Sequence, residues 1–465
     1  MTYQVPQHIN KDKIFIVKKS EINGRLDPKM ALYNQSVQHS LYPLVKLKCL
    51  LLSKPQYGAN EAGLVREHKE QARYIRITDI DENGLISTDE LGATVANLEE
   101  KYILNENDIV IARSGATVGK AYIHRHLPYT CVYAGYLIRF VVDSDKILPD
   151  YLFAYTQLNP YKEWVNAIQR PSAQPNINAE EYQSLEIPLP NLSKQQEIVD
   201  FINEAYTQKR AKEVEAQHLL DSIDDYLLKE LGITIPNVDN GLNNRIFFSS
   251  FSKIEGNRID PKYNKQIRCF QELYDSDTWK TLSSVSIVKG QYGANEAAIA
   301  YQEGDTRYIR ITDIDEIGNL KEHDKKTAQY IDNAYILHNE DILFARSGSV
   351  GKCYLHRDVN PSIFAGYLIR FVLNKNVILP EFLFYYCNSS IYWYWVDTIH
   401  RPAVQANINA EEYCGMPIPI PSINRQQEIV DYIADIRTRA KALQAEGKAI
   451  LEDAKRKVEQ MIIGE

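Results

Sequence analysis

The chain has 465 residues, of which 44% are hydrophobic and 25% charged, and its formal net charge is −8. A chain of this length and composition can bury a full core without disulfides or structural metals, as ordinary globular proteins do. The negative charge argues against a protein that coats nucleic acid nonspecifically, although it leaves room for a local basic cleft.

The cysteines and the opening segment indicate the cellular compartment. The six cysteines are widely spaced and form no C-x-x-C pair, and no run of apolar residues is long enough to span a membrane. The opening segment MTYQVPQHINKDK has no apolar signal region. We therefore expect reduced cysteines, no bound metal and a cytoplasmic location.

Most of the chain consists of one pattern that occurs twice in the same order. The nine residues RYIRITDID at 73–81 return unchanged at 307–315. A repeat of this length is too long for a solenoid and indicates a duplicated module. The other repeated segments are QYGANEA at 56–62 and 291–297, AGYLIRF at 134–140 and 365–371, NINAEEY at 176–182 and 407–413, and QQEIVD at 195–200 and 426–431.

The first part of each module is predicted to be an α+β globule. Short apolar runs such as DIVIARS and YLIRFVV alternate with segments rich in Gly, Asn and Asp, which is typical of strands and turns. The stretch LPDYLFAYTQLNPYKEWVNAI, together with its repeat, predicts one helix whose aromatic residues belong to the core.

The second part of each module is predicted to be a long helix. It follows a proline-rich exit, and Ser193 or Ser422 can cap its first turn. Apolar residues then recur in steps of four and three, as in a coiled coil, although Lys209 and Lys212 interrupt the first copy. Two such helices of about 35–40 residues should pack on each other; the alternative is that each packs on its own globule.

These patterns divide the chain into five segments. A first globule covers 1–191, a first spacer helix 192–232, a linker 233–244, a second globule 245–421 and a second spacer helix 422–465. Two equal globules held apart by a fixed spacer can bind two copies of one feature, and DNA half-sites are such a feature.

The strongest candidate for DNA contact is the hairpin DIVIARSGATVGKAYIHR and its repeat. Glycine lets the backbone approach a phosphate closely, and Arg, Ser and Lys supply donors for phosphates or base edges. The spacing is too short for a nucleotide-binding G-x-x-x-x-G-K-[ST] loop and differs between the copies, so ATP binding is not expected. The candidate residues are Arg113, Ser114 and Lys120, with Arg346, Ser347 and Lys352 in the second copy.

Three further segments carry polar residues suited to DNA contact. The QYGANEA loop contributes Gln56, Tyr57 and Asn60, with Gln291, Tyr292 and Asn295 in the repeat. The QRPSAQPNIN segment and its repeat contribute Arg170, Gln174 and Asn176, with Arg401, Gln405 and Asn407. In RYIRITDID, Arg76 and its repeat Arg310 would lie on one face of a strand. Each segment has a structural alternative, since all can be satisfied surface loops or strand ends.

The carboxylates that follow this strand admit two interpretations. Asp79 and Asp81 could hold a metal or act as acid and base, as in a nuclease. The preferred interpretation is that they are turn residues and salt-bridge partners of nearby arginines.

In combination, these motifs resemble the specificity subunit of type I restriction–modification systems. The resemblance rests on RYIRITDID, the strand leading into ARSGATVGK, AGYLIRF, and IPLPNLSKQQEIVDFI entering a long helix, and it covers nearly the whole chain twice. It implies two tandem target recognition domains, each reading half of a bipartite DNA site. It also implies an antiparallel coiled coil of the two long helices, with pseudo-two-fold symmetry.

The resemblance further implies a subunit without catalytic activity. Double-stranded DNA, two methyltransferase subunits and a restriction or translocase subunit are the expected partners. This chain is expected to bind no cofactor, whereas S-adenosylmethionine for N6-adenine methylation, and ATP with magnesium, would be bound by the partners. The two modules are more alike than is usual in this family, so we expect two similar half-sites and a near-palindromic target.

Three alternatives remain open at the level of sequence. The chain could serve a related restriction system in which one partner chain both methylates and cleaves. It could be a metal-dependent nuclease that uses Asp79, Asp81 and their repeats. It could also be a scaffold whose globules bind protein.

Overall fold

The computed structural model contains two compact units. It describes residues 16, 29–31, 33, 40–87, 91–169, 175–235, 260, 263–264, 266–267, 270, 278–358, 360–400 and 406–464. Unit 1 comprises 1–213 and 444–465, and unit 2 comprises 214–443. Each unit therefore takes its globule from one module and helical segments from both.

Unit 1 contains two small sheets and a closing strand pair. One sheet has the order β2-β9-β6-β7 and the other β3-β5-β4-β8, in which only β4 and β8 run parallel; β1 pairs with β10. The strands are β1 (Leu44–Lys46), β2 (Gln56–Tyr57), β3 (Leu64–Val65), β4 (Arg73–Ile75), β5 (Ala93–Thr94), β6 (Ile109–Ala112), β7 (Ala121–Ile123), β8 (Cys131–Tyr133), β9 (Leu137–Phe140) and β10 (Glu186–Pro188).

Three short helices lie between β9 and β10 in unit 1, and the first long helix follows β10. They are α1 (Pro149–Tyr155), α2 (Asn159–Ile168) and α3 (Ala179–Gln183), and α4 (Leu192–Leu231) is the long helix. The prediction of a single aromatic helix is wrong, because the chain makes a turn between α1 and α2 and Pro160 lies in the first turn of the second helix. Its aromatics do lie in the core, with Tyr151, Tyr155 and Trp164 almost completely buried.

Unit 2 repeats this order of elements. Its strands are β11 (Trp279–Thr281), β12 (Ser286–Tyr292), β13 (Ala298–Ala300), β14 (Arg307–Ile309), β15 (Lys326–Ala328), β16 (Ile342–Ala345), β17 (Cys353–Leu355), β18 (Ser362–Phe364), β19 (Leu368–Leu373) and β20 (Pro417–Pro419). Its helices are α5 (Pro380–Tyr386), α6 (Ser390–Ile399) and α7 (Ala410–Cys414), followed by the long helix α8 (Ile423–Ile463). The sheet β12-β19-β16-β17 matches β2-β9-β6-β7, and β14 again runs parallel to its neighbour, β18.

The central strands are buried on both faces, which explains their continuous apolar runs. In β6, Ile109 and Ile111 face the core that contains α1 and α2, whereas Val110 and Ala112 face the core shared with β4 and β8. This alternation follows from the two-residue period of a strand. The globule is thus a layer of helices, a first sheet and a second sheet, and the predicted α+β class is confirmed.

The long helices pair antiparallel within each unit. In unit 1 the Lys212 ammonium lies 3.0 Å from the Glu446 carboxylate. In unit 2, Tyr226 stacks on Tyr432 with ring centroids 4.0 Å apart, while the later Glu230 meets the earlier Arg425. In these contacts, residues later in α4 meet residues earlier in α8, so the two helices run in opposite directions. The predicted helix pairing is therefore confirmed.

Gly447 of α8 packs against Lys209 and Lys212, the two lysines that interrupt the apolar stripe of α4. A side-chain carbon on Gly447 would lie 3.2 Å from the Lys209 carbonyl oxygen and 3.3 Å from the Lys212 Cβ. The two helix backbones therefore approach closely at this point, and the stems of the lysines cover the glycine while Lys209 bonds Glu213 at 2.6 Å.

The caps of the long helices differ from one another. The Asn191 side chain accepts from the Lys194 amide at 2.9 Å, so Asn191 rather than the predicted Ser193 caps α4. Ser422 caps α8 by accepting from the Arg425 amide at 3.3 Å. Among the described residues, no helix is both long and apolar enough to cross a membrane. The five-segment division of the chain stays a prediction.

Candidate nucleic-acid interface

Four repeated motifs meet at one place in each globule. In unit 2 they surround an open cavity of about 580 Å³. Its lining comes from the loop after β12, the end of β14, the turn after β16 and the turn between β18 and β19. The lining residues are Ala294, Asn295, Glu296, Ala298, Tyr308, Arg310, Ile311, Thr312, Ser347, Gly348, Ala365, Gly366 and Tyr367.

The same motifs are joined by hydrogen bonds in unit 1. The Tyr74 hydroxyl donates to the carbonyl oxygens of Ala59 at 2.8 Å and Glu61 at 3.1 Å. The Gly135 amide donates to the same Ala59 oxygen at 2.7 Å. When the modules are aligned by their repeated motifs, the positions equivalent to the cavity lining carry identical residues except that Gly63 replaces Ala298. We refer to these two equivalent places as the motif sites.

The RSG turn is held from both sides. The Arg113 amide donates to the Tyr136 carbonyl at 2.9 Å, and the Arg113 carbonyl accepts from the Ile177 amide at 2.8 Å. Ser114 forms an isolated bridge with Asn176. Unit 2 repeats these contacts at Arg346, Ser347 and Asn407. The structure therefore brings the predicted residues Arg113, Ser114 and Asn176, and their repeats in unit 2, together beside the turn that contains Tyr136 or Tyr367.

The arginine of each RSG turn stacks on the tyrosine of the QYGANEA loop. The Arg113 guanidinium carbon lies 4.8 Å from the Tyr57 ring centre, and Arg346 lies 4.9 Å from Tyr292. The Nε atoms of both arginines are buried without a hydrogen-bond partner among the described residues. The tyrosine hydroxyls accept from the Ala179 and Ala410 amides at 3.1 Å. This cation–π contact orients the guanidinium at the site.

The lysines of the hairpin are engaged within the globule. The Lys120 ammonium donates to the Ile80 carbonyl, and the Lys352 ammonium donates to the Ile314 carbonyl at 3.3 Å and contacts Glu316 at 2.7 Å. The Lys352 side chain is only 10% exposed. Each lysine thus links its hairpin to the turn after β4 or β14. DNA contact by these lysines stays a prediction.

Arg76 and Arg310 do not lie on a strand face as predicted. Each follows the end of its strand and begins a short 3-10 turn, where the backbone amide of Arg310 donates to Asp313 at 2.8 Å and its guanidinium donates at 2.6 and 3.1 Å. The Asp79 carboxylate raises the pKa of Arg76 by the equivalent hydrogen bonds. The Arg76 side chain remains 44% exposed.

The acidic residues of this motif have structural partners. Asp79 binds Arg76, and an Asp81 oxygen accepts from the Asn83 and Leu85 amides at 2.8 Å. The described part of the chain contains no group of three or more side chains arranged to hold a metal ion. The geometry therefore gives no support to the nuclease alternative.

The remaining candidates have mixed positions. Gln56 accepts from Arg139, and the Gln291 amide donates to the Ala334 carbonyl at 2.9 Å, so both glutamines have partners inside the globule. Asn60 and Asn295 are exposed at the motif sites. Four predicted residues, Arg170, Gln174, Arg401 and Gln405, lie outside the described residues.

Sequence reasoning missed two exposed tyrosines at the motif sites. Tyr136 and Tyr367 are 62% and 64% exposed in the turns between β8 and β9 and between β18 and β19. The repeat AGYLIRF, which contains both, was the available signal. Thr312, which lines the same cavity as Tyr367, and its equivalent Thr78 are also exposed and were missed too.

Comparison with known proteins identifies the family. A family model described as the type I restriction modification DNA specificity domain matches residues 65–221 and 278–452. The specificity subunit of the type I restriction enzyme StySPI from Salmonella potsdam is 22% identical over 370 residues, covering 77% of this chain and 73% of that protein. The EcoKI specificity subunit from Escherichia coli K12 is 22% identical over 376 residues, with the same shares covered.

A chain from a solved type I R-M system aligns with 90% of this chain and 95% of its own length, at 13% identity and a TM-score of 0.47. The family model matches more than half of the chain and matches each module once. The chain therefore belongs to the type I restriction–modification DNA specificity family, as a specificity subunit made of two such domains.

Proposed function

We propose that this subunit reads a bipartite DNA target through its two motif sites, one half-site for each globule. One observation carries the proposal: the residues that line the two sites are the same at all positions but one. Sites with the same donors and acceptors in the same places favour the same base pattern, because bases are distinguished by hydrogen bonds and apolar contacts. The expected target is an interrupted, near-palindromic sequence.

Within each site, the exposed polar residues and the stacked arginine are proposed to contact the duplex. Arg113 and Arg346 present guanidinium groups suited to phosphate or guanine. Asn60 and Asn295 present amides suited to adenine. The buried acidic partners of Arg76 and Arg310 fix those arginines at the rim, so that they need little reorganisation on binding.

The rest of the reaction is proposed to belong to partner chains. The antiparallel helices would dock two methyltransferase subunits, which bind S-adenosylmethionine, and a restriction or translocase subunit, which uses ATP and magnesium. This chain would bind no cofactor and would act in the cytoplasm. Supporting this division of labour, the carboxylates of the repeated motif are used in turns and ion pairs.

Methylation mapping tests the proposal. The subunit is co-expressed with a type I methyltransferase subunit from the same genome, in a host whose own adenine methylation is absent, and genomic DNA is sequenced for N6-methyladenine. We expect methylation at one interrupted motif whose two halves resemble each other as inverted repeats. A host that expresses the methyltransferase alone is the control. Two unrelated half-sites would contradict the near-palindrome, and methylation that is independent of this subunit would contradict the specificity role.

A further inference from the structure

Tyr136 and Tyr367 occupy equivalent turns that hold their backbones rigidly. In unit 1 the Leu137 amide donates to the Ala134 carbonyl at 2.8 Å, which closes the turn, and the Tyr136 carbonyl accepts from the Arg113 amide at 2.9 Å. In unit 2 the equivalent bonds measure 2.8 Å to Ala365 and 3.0 Å to Tyr367. The backbone of each tyrosine is thus fixed while its ring extends into solvent.

The glycine before each tyrosine allows the turn to lie against the QYGANEA loop. A side-chain carbon on Gly366 would lie 2.1 Å from the Asn295 Oδ1, and one on Gly135 would lie 3.2 Å from the Ala59 carbonyl oxygen. Tyr367, Asn295 and Thr312 line one cavity in unit 2, and Tyr136, Asn60 and Thr78 are the equivalent residues of unit 1. This arrangement combines an apolar face with hydrogen-bonding groups around one opening.

We propose that Tyr136 and Tyr367 are specificity-determining residues, each placing its ring and hydroxyl against a base of its own half-site. The inference rests on the proposed function and names the residues that carry its selectivity. A large exposed ring contributes little to the core, and an isolated exposed tyrosine would need no explanation. Here the same ring is exposed to the same extent at both motif sites and is held by the same backbone bonds.

The chemistry of a tyrosine suits a base rather than a phosphate. The ring is uncharged, so it gains little from the phosphate backbone, whereas in a groove its face can pack on a thymine methyl and its hydroxyl can bond a base edge. A tyrosine has only two side-chain torsions, and a fixed turn lowers the entropy lost on binding. Duplex DNA is therefore the ligand that this opening suits.

The test compares cognate with scrambled DNA. The complex of this subunit with its methyltransferase is titrated against a duplex carrying the mapped target and against one with both half-sites scrambled, at a single salt concentration. The specificity ratio is the affinity for the first duplex divided by that for the second. We expect Tyr136→Ala or Tyr367→Ala to lower this ratio about tenfold to hundredfold, and the double variant to lower it further.

Matched variants separate the possible causes. Tyr330→Ala removes a tyrosine that is 69% exposed in unit 2 but does not line the cavity, and it should leave the ratio unchanged. Tyr136→Phe measures how much of the specificity ratio depends on the hydroxyl. Tyr136→Leu retains apolar bulk and replaces the alanine variant if that variant fails to assemble.

Three results would overturn the inference. They are an unchanged ratio, an equal loss of affinity for both duplexes, and a loss of methyltransferase binding with the ratio intact, which would indicate a protein-docking residue. A wild-type complex without preference for the mapped duplex would instead overturn the proposed function, and the inference with it. The wild-type measurement thus distinguishes the two failures.

Discussion

His124 is a buried side chain whose protonation state is tied to folding of the first globule. It is 5% exposed directly after β7, and its Nδ1 lies 2.9 Å from the Tyr122 hydroxyl. Burial lowers its pKa from 6.5 to about 4, with a smaller contribution from His126. His356 occupies the equivalent place in unit 2, where burial also lowers its pKa. Both histidines are therefore neutral in the folded protein near neutral pH.

The lowered pKa of His124 predicts acid sensitivity of its hairpin. Between about pH 6.5 and pH 4 the unfolded chain takes up a proton that the folded chain does not. The free energy of opening should therefore be largest above pH 6.5 and fall as the pH falls toward 4. Hydrogen exchange of β6–β7 peptides, corrected for intrinsic rates, measures this energy.

Two variants decide whether this histidine is responsible. His124→Asn should flatten the pH dependence, whereas His68→Asn, at an exposed position of the same globule, should leave it as in the wild type. An equally steep dependence in His124→Asn would contradict the assignment.

At the scale of single residues, the sequence predicted surface loops better than the uses of individual side chains. Tyr57 ends β2 and Asn60 lies in the loop after it, and both side chains are exposed as expected for polar groups where a strand meets a surface loop. Lys120 was predicted to contact a phosphate because it follows a glycine in a polar turn, yet its ammonium donates to the Ile80 carbonyl. That carbonyl is distant in sequence, and only the packing of one sheet on the other brings it near. Local pattern cannot show such a contact.

At the scale of elements, one glutamine explains the repeated QQEIVD motif. Gln195 is fully buried in the first turn of α4. Its Oε1 accepts from the Leu148 amide at 2.8 Å, and its Nε2 donates to the carbonyls of Pro190 at 2.9 Å and Lys146 at 3.1 Å. Gln426 makes the equivalent bonds in unit 2. This side chain thus joins the start of the long helix to the segment before α1.

Replacing the buried glutamine should cost far more than replacing its neighbour. Gln195→Leu keeps the volume but leaves the Leu148 amide and two carbonyls unpaired, so the free energy of unfolding should fall by about 2–3 kcal/mol. Gln196 is exposed and its side chain donates to Asp200 at 2.7 Å, so Gln196→Leu should change the free energy of unfolding by less than about 0.5 kcal/mol. Urea unfolding followed by circular dichroism compares the two. Similar losses in both variants would contradict the role of Gln195.

The long helices themselves were predictable, whereas their interruptions were not. The four-and-three spacing at Ile429, Ile433 and Ile436 matches residues that are buried in the structure. The lysines in the middle of α4 appeared as a break in the stripe. Their explanation lies in Gly447 of the other helix, which is far away in the sequence. The spacing of apolar residues can be read along one helix, but the residue that each of them contacts depends on the register between the two helices.

At the scale of the whole molecule, each compact unit depends on both modules. The core of unit 1 contains Ile198 and Ile202 of α4 together with Leu451, Val458 and Ile462 of α8. The Glu459 carboxylate also accepts from the Asn159 amide at 2.7 Å, at the start of α2. The sequence repeat suggests two self-contained halves, but the folded units exchange the ends of their long helices. A cut in the linker therefore divides each core.

A fragment of residues 1–232 should consequently be unstable as a monomer. It lacks the α8 segment, so Ile198 and Ile202 would lose their apolar cover, and each large side chain removed from water contributes about 1.5–3 kcal/mol. We expect the fragment to aggregate or to self-associate through α4. Adding a fragment of residues 245–465 should restore a one-to-one complex with the far-ultraviolet spectrum of the intact chain.

Sedimentation velocity measures these states, and a charge substitution supplies the control. Val458→Asp in the second fragment places a carboxylate in the core of unit 1 and should prevent the rescue, since an unpaired buried charge is strongly unfavourable. Lys457→Asp changes a neighbouring residue that is 54% exposed and should allow it. A stable, monomeric first fragment would show that the globule folds without α8. The core that α4 and α8 share in unit 1 would then be dispensable for folding of the first globule.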